Sequence, residues 1–242
     1  MERRRQRGVG HGASAGAGGS ALEHDIAAMA TYWGERTHIW LDEAAQTFDE
    51  LVRPFTYHII DVTAAEIQVV NLCFTEWVLF ERAMRAGKTP LELYIERRPA
   101  GVSADALARL QQVADTQFFS RFTIIEKNRE TGMAVLCDTE TGIRYDVLDT
   151  RLCAVERWRG GVIALRIARV DGLWQTVGAT HLYDAAPPEA TAVDGPGAVH
   201  PEDLKRAPHV AAMSFYLRFL RDAIGMDGRY IPTFHASIVS GA

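Results

Sequence analysis

Between residues 35 and 52, apolar side chains return every three or four positions (Ile39, Trp40, Ala44, Ala45, Phe48, Leu51, Val52), which predicts an amphipathic helix closed by Pro54. A longer helical stretch is expected over about 63–85. There Ile67, Val70, Leu72, Cys73, Phe74, Trp77, Val78 and Phe80 cover more than one face, so this is expected to be the most buried helix, with Gly87 as its stop. Thr89-Pro90 reads as N-cap and first-turn proline of a short helix over 91–96. Ser103 opens another, with Leu107, Leu110, Val113 and Ala114 as its inner stripe.

Near Phe118 the period falls from three or four to two. FFSRFTIIEK, GMAVLCD, GIRYDVLD, VIALRIARV and LWQTVGATHLYD are rich in β-branched and aromatic residues and alternate as strands do. Short connectors carry glycine where tight reversals need it, most plainly Asp171-Gly172. Five short strands with short turns predict an antiparallel meander curled into a small barrel, SH3-like or OB-like, because closure hides strand edges. Ile163, Leu165 and Ile167 share the face expected to be core, with Arg166 opposite. After Tyr183 the chain turns to proline, alanine and glycine. From Pro201 an apolar pattern (Met213, Phe215, Tyr216, Leu217, Phe219, Leu220, Ile224) predicts a helix ending at Gly225 that docks on the helical part.

The fold class expected is therefore α+β: an N-terminal helical domain, then a five-stranded antiparallel small barrel (SH3/OB-like) and a C-terminal docking helix. The expected organisation is a disordered Arg/Gly-rich tail over 1–21, a helical domain over 22–117, the barrel over 118–184, a linker over 185–200, the C-terminal helix over 201–225 and a tail over 226–242. Met29 is a candidate for the native start.

Composition narrows the function classes. Of the 242 residues 48% are hydrophobic and 24% charged, which suits a chain that folds around a core. The net charge of −5 argues against a general polyanion binder, the more so because Arg3, Arg4, Arg5 and Arg7 crowd the N-terminus and leave the rest more acidic. Cys73, Cys137 and Cys153 sit in apolar runs at wide spacings, which reads as reduced thiols in a reducing compartment, with no disulfide framework. The stretch 59–80 is interrupted by Asp61, Glu66, Gln68, Asn71 and Glu76, so no membrane span is expected. No apolar core follows the basic N-terminus, so no secretory signal is expected either. A cytoplasmic location follows as the expectation.

No nucleophile elbow, P-loop, HExxH or dinucleotide fingerprint occurs, and GAGGSA follows no strand, so neither cofactor nor metal is expected. His38, His58 and His181 fall in ordered elements but at no ligand spacing. Glu76 and Glu81, five apart on one helix, point in different directions, so the reading for Glu76 is an ion pair with an arginine of the barrel. Arg157, Trp158 and Arg159, with Arg144, Tyr145 and Trp174, form a candidate binding surface of stacking rings and cations.

The stretches FTEWVLFERAMRAGKTPLELYIERR, FTIIEKNRETGMAVLCDTETGIRYDVLDTR and VIALRIARVDGLWQTVGA resemble a group of uncharacterised bacterial helix-plus-small-barrel proteins, some of which end in a SEC-C zinc-binding tail. That Cys-rich tail is absent here, so zinc binding does not carry over. The resemblance spans about 74–183 and implies the architecture and a bacterial cytosolic setting, with no reaction. The function expected is a non-catalytic macromolecular interaction module with a protein partner. The alternatives are an enzyme with its site between barrel and helices, using Glu76, Tyr145 or His181, and an OB-like nucleic-acid binder.

Overall fold

The helical part opens with a helix that the periodicity does not mark. Helix α1 spans Ala21–Gly34, started by a reciprocal cap in which Glu23 N–H donates to Ser20 Oγ and Ser20 N–H to the Glu23 carboxylate. Leu22, Met29 and Trp33 are buried along it, Trp33 Nε1 donates to Pro90 O at 3.1 Å, and Asp25 pairs with Arg109 at 2.7 Å. The candidate start at Met29 thus falls in the middle of a packed helix.

Helix α2 (Leu41–Val52) buries Ala44, Phe48 and Val52 and ends at Arg53 in the left-handed region, before Pro54. Residues 35–40, expected to be part of it, instead form a short 3-10 helix (Thr37–Ile39) between turn residues. Helix α3 (Ala64–Phe80) buries its C-terminal half and stops short of Gly87, since Glu81 leaves helical geometry at φ −129°. Helices α4 (Pro90–Arg97) and α5 (Ala104–Thr116) start at the expected caps, Thr89 and Ser103. The computed structural model describes residues 20–156, 160–184, 195–226 and 228; the expectations for the N-terminal tail and its glycine tract, most of the linker and the C-terminal tail lie outside these.

The five strands fall within about two residues of expectation: β1 Phe118–Asn128, β2 Met133–Asp138, β3 Arg144–Leu148, β4 Val162–Val170 and β5 Leu173–Asp184. They close in the order β1-β2-β3-β5-β4. The antiparallel meander is corrected here: β3 pairs with β5 in parallel, Val147 opposite Trp174, and β4 lies between β5 and β1. Geometry requires such an exception, because strands alternating in direction around a ring must be even in number. A short helix α6 (Thr150–Ala154), capped by Asp149, carries the chain from β3 to β4 and drops Leu152 and Cys153 into one end of the barrel. This order, with a helix after β3, is the OB arrangement and not the SH3 one.

Strand β4 fuses the two layers. Ile163, Leu165 and Ile167 fill the barrel as expected, while Ala164, Arg166, Ala168 and Val170 face outward and are buried under the helices. The C-terminal segment docks there, but in three pieces: α7 (Pro201–Arg206), α8 (Pro208–Ala211) and α9 (Phe215–Ile224). Pro208 has no N–H to continue α7, and Ser214 restarts the chain as the N-cap of α9. Helix α9 packs Tyr216, Phe219, Leu220 and Ala223 against α2, α3 and β1. Gly197, from the segment read as linker, is buried on α9, where its N–H donates to Asp222 at 2.8 Å and its carbonyl accepts from Arg218 at 2.9 Å. No helix among the described residues is long and apolar enough to cross a membrane.

Candidate functional site

Two polar constellations stand out, one sealed and one open. The sealed one centres on Arg166, 2% exposed, whose outward position on β4 places it beneath α3 and α9. Its Nε donates to Glu76 Oε1 at 3.0 Å, its Nη2 to Glu81 Oε1 at 2.5 Å and its Nη1 to the Gln117 amide oxygen. Glu76 Oε2 accepts the backbone N–H of Ala179 at 2.8 Å, and Glu81 Oε2 accepts the Ser214 hydroxyl at 2.5 Å. The expected pairing of Glu76 with a barrel arginine is thus present. The divergence of Glu76 and Glu81 is resolved because Glu81 sits past the end of α3 and one guanidinium fork spans both.

The rings of Phe80, Phe119 and Tyr216 surround the Arg166 guanidinium at 5.2–5.7 Å. Gly178 is needed beside it, since a Cβ there would come within 2.6 Å of the Glu76 carboxylate. Burial pushes the Glu76 carboxyl up, against the pull of Arg166 and the Ala179 N–H; burial also weighs on Arg166, yet the two carboxylates hold it charged. Next to this centre His181 is buried among Phe119, Tyr216 and Phe219, and its Nε2 has no hydrogen-bond partner among the described residues. Burial, with Arg166 nearby, lowers its pKa to about 4. Tyr216 donates to the Cys73 carbonyl at 3.3 Å. Every oxygen of both carboxylates accepts from a donor; Glu76 and Arg166 are closed to solvent, while Glu81, bonded to exposed Ser214, lies at the partly exposed margin. The arrangement ties α3, α5, β4, β5 and α9 together.

The open constellation lies where β3 meets the tip of the β4–β5 hairpin. Arg144, Tyr145, Asp146, Arg169, Gly172, Leu173 and Trp174 line a cleft of about 250 Å³. Asp171 and Gly172, at φ 51° and 84°, make the tight reversal that sets Arg169 opposite Trp174. Tyr145 and Trp174 meet edge to face at 5.1 Å, and both pack on Phe118, so the rings plug this end of the barrel and only partly face the cleft. Burial, with Asp138 adding to it, raises the Tyr145 phenol above its ordinary value. Arg144, Asp146 and Arg169 are exposed and make no ion pair among the described residues.

Arg144, Tyr145 and Trp174 are therefore brought together as expected, whereas Arg157, Trp158 and Arg159 lie outside the described residues. Asp146, Arg169 and Leu173 were missed, although the hairpin register around Asp171-Gly172 places Arg169 and Trp174 side by side. Of the three polar groups considered for an enzyme, Glu76 and His181 sit at the closed barrel–helix junction and Tyr145 at the barrel end with Trp174. Exposed His58 pairs with Asp49 at 3.0 Å, His38 is exposed, and no group of three or more His, Cys, Asp or Glu among the described residues is placed to hold a metal ion. Comparison of the chain with protein-family models, with curated proteins and with solved structures finds no match.

Proposed function

We propose that this chain is a non-catalytic macromolecular interaction module of the cytoplasm, in the bacterial setting that its resemblance implies, with a protein partner. The helices hold an OB-type barrel by one side, and the barrel presents its β3 side to that partner. The observation that carries the reading is the contrast between the two junctions: the barrel–helix junction is closed by a satisfied charge network, while solvent-facing charge and partly exposed aromatic surface collect at the open cleft. A catalytic carboxylate or imidazole needs access to substrate, and Glu76 and His181 have none.

The OB strand order with Arg144, Arg169 and Trp174 on the surface favours single-stranded nucleic acid as the second reading. One experiment separates them: isolation of the tagged full chain from its host cytosol, with and without nuclease, and identification of what accompanies it. A stoichiometric protein that survives nuclease is the expected result. Partners lost with nuclease overturn it in favour of nucleic acid, and a chain recovered alone overturns the module reading.

A further inference from the structure

Strand β3 is paired along its whole length with β2, but with β5 only at Val147 and Leu148. Arg144, Tyr145 and Asp146 therefore have no strand beside them on the other edge among the described residues. The direction of their backbone groups follows from the register. Asp138 N–H donates to Ile143 O and Asp149 N–H to Gly132 O, so in this ladder the bonded pairs include Leu136 with Tyr145. The intervening residues, Arg144 and Asp146, then turn their backbone groups away from β2 and into the cleft. This leaves about 10 Å of open edge, floored by Tyr145, Trp174 and Leu173 and flanked by Arg144 and Arg169.

We propose that this gap between β3 and the β4–β5 hairpin takes an extended acidic peptide, which adds as a strand to the Arg144–Asp146 edge. Backbone hydrogen bonds to Arg144 and Asp146 supply register, an apolar side chain rests on Trp174 and Leu173, and a carboxylate meets Arg144 or Arg169. Charged side chains guard a strand edge against indiscriminate pairing. Here the two arginines outweigh Asp146 and set the sign of the admitted segment as negative. The proposal rests on the interaction-module reading and names the site and ligand chemistry of that module.

The test uses the full chain and five probes: a fluorescent ten-residue peptide alternating glutamate and valine, its lysine counterpart, two copies of the acidic peptide N-methylated on one or the other alternate set of amides, and a twelve-residue oligothymidylate. Binding is read by anisotropy and by backbone amide shifts. The expected result is binding of the acidic peptide with shifts at Arg144 and Asp146. The lysine peptide binds at least about tenfold more weakly, and so does the acidic peptide in the doubly substituted variant Arg144→Glu with Arg169→Glu. Only one of the two methylation patterns abolishes binding, because an added strand uses alternate amides.

Equal binding of both charge types, loss with both methylation patterns, or shifts elsewhere overturns the proposal. Oligothymidylate binding at the same amides replaces the ligand class with nucleic acid. If the peptides fail but a nuclease-resistant partner still accompanies the doubly substituted chain, the site falls and the module reading stands. If no partner accompanies the native chain either, both fall.

Discussion

Arg166 and Arg144 are both outward-facing strand residues of one small barrel, and their surroundings could hardly differ more. Arg166 is covered by α3 and α9 and meets two carboxylates, a glutamine and three aromatic rings. Arg144 stands in water beside Asp146 and Arg169, with no ion pair among the described residues. Removing a guanidinium from water costs several kcal/mol and is tolerated only when fixed partners replace the solvent. The partners at Arg166 come from separate parts of the chain, so its charge has become a joint between the layers. An exposed charge holds no layers together and stays available to a ligand.

The sharpest way to break this contrast is Arg166→Met, which strands Glu76 beneath the helices and unpairs Glu81 at their margin. Unfolding by denaturant should show a loss of about 3–5 kcal/mol, the usual consequence of deleting one partner of a buried pair. The triple variant with Glu76→Leu and Glu81→Gln should recover much of that loss, since no uncompensated charge remains. A loss below about 1 kcal/mol for the single variant would mean that helix packing alone joins the layers.

Two groups, His181 at this junction and half-buried Asp222 where α9 meets Gly197, make opposite contributions as pH changes. His181, lowered to about 4 from 6.5, is buried as the neutral ring. Between those values the unfolded chain binds more protons, so its stabilisation is complete above 6.5 and is lost as pH falls toward 4, by up to about 3 kcal/mol. Asp222 is raised by burial to about 6 from 3.8, despite the Gly197 N–H. Its stabilisation is present below 3.8 and is lost as pH rises through 6, by a similar amount of about 3 kcal/mol. In the native chain the two slopes largely cancel. Asp222→Asn should leave His181 unopposed, so the variant loses stability relative to the native chain as pH falls from 6.5 to 4, and His181→Gln should do the reverse. Parallel curves of denaturation midpoint against pH for all three proteins would refute both assignments.

Gly178→Ala tests the closeness of the joint. The added Cβ meets the Glu76 carboxylate, and overpacking of this kind costs about 1–3 kcal/mol. In a Glu76→Ala background the same substitution should cost far less, a non-additivity that a double-mutant cycle reads directly. Additive losses would place the strain elsewhere.

What could be read in the chain before the fold was known divides along physical lines. Strand positions and the caps at Thr89 and Ser103 were legible because alternation and capping are local. The partner class of Glu76 was legible too, because a carboxylate in an apolar helix needs a cation. Which arginine it would be depended on β4 lying under α3, and no local pattern carries that. The parallel β3–β5 contact leaves no mark in any single turn, although an odd closed ring demands it. Helix α1 escaped notice because Leu22, Met29 and Trp33 form a thin stripe, yet Ser20 and Glu23 already spelled its start. The cleft was half visible: Arg144, Tyr145 and Trp174 stand out by type, whereas Arg169 enters only through the hairpin register.

The smallest expected effect closes the comparison from the other side. Arg144→Ser and Arg169→Ser remove exposed charges that make no ion pair among the described residues, so each should move the denaturation midpoint by no more than about 0.5 kcal/mol. Their cost should appear only when a ligand is present, as weaker binding with unchanged stability. If either substitution destabilised the free protein by more than about 1 kcal/mol, that arginine would be bracing the β4–β5 tip. Its charge would then serve the fold just as that of Arg166 does, and the division between a sealed joint and an open site would no longer hold.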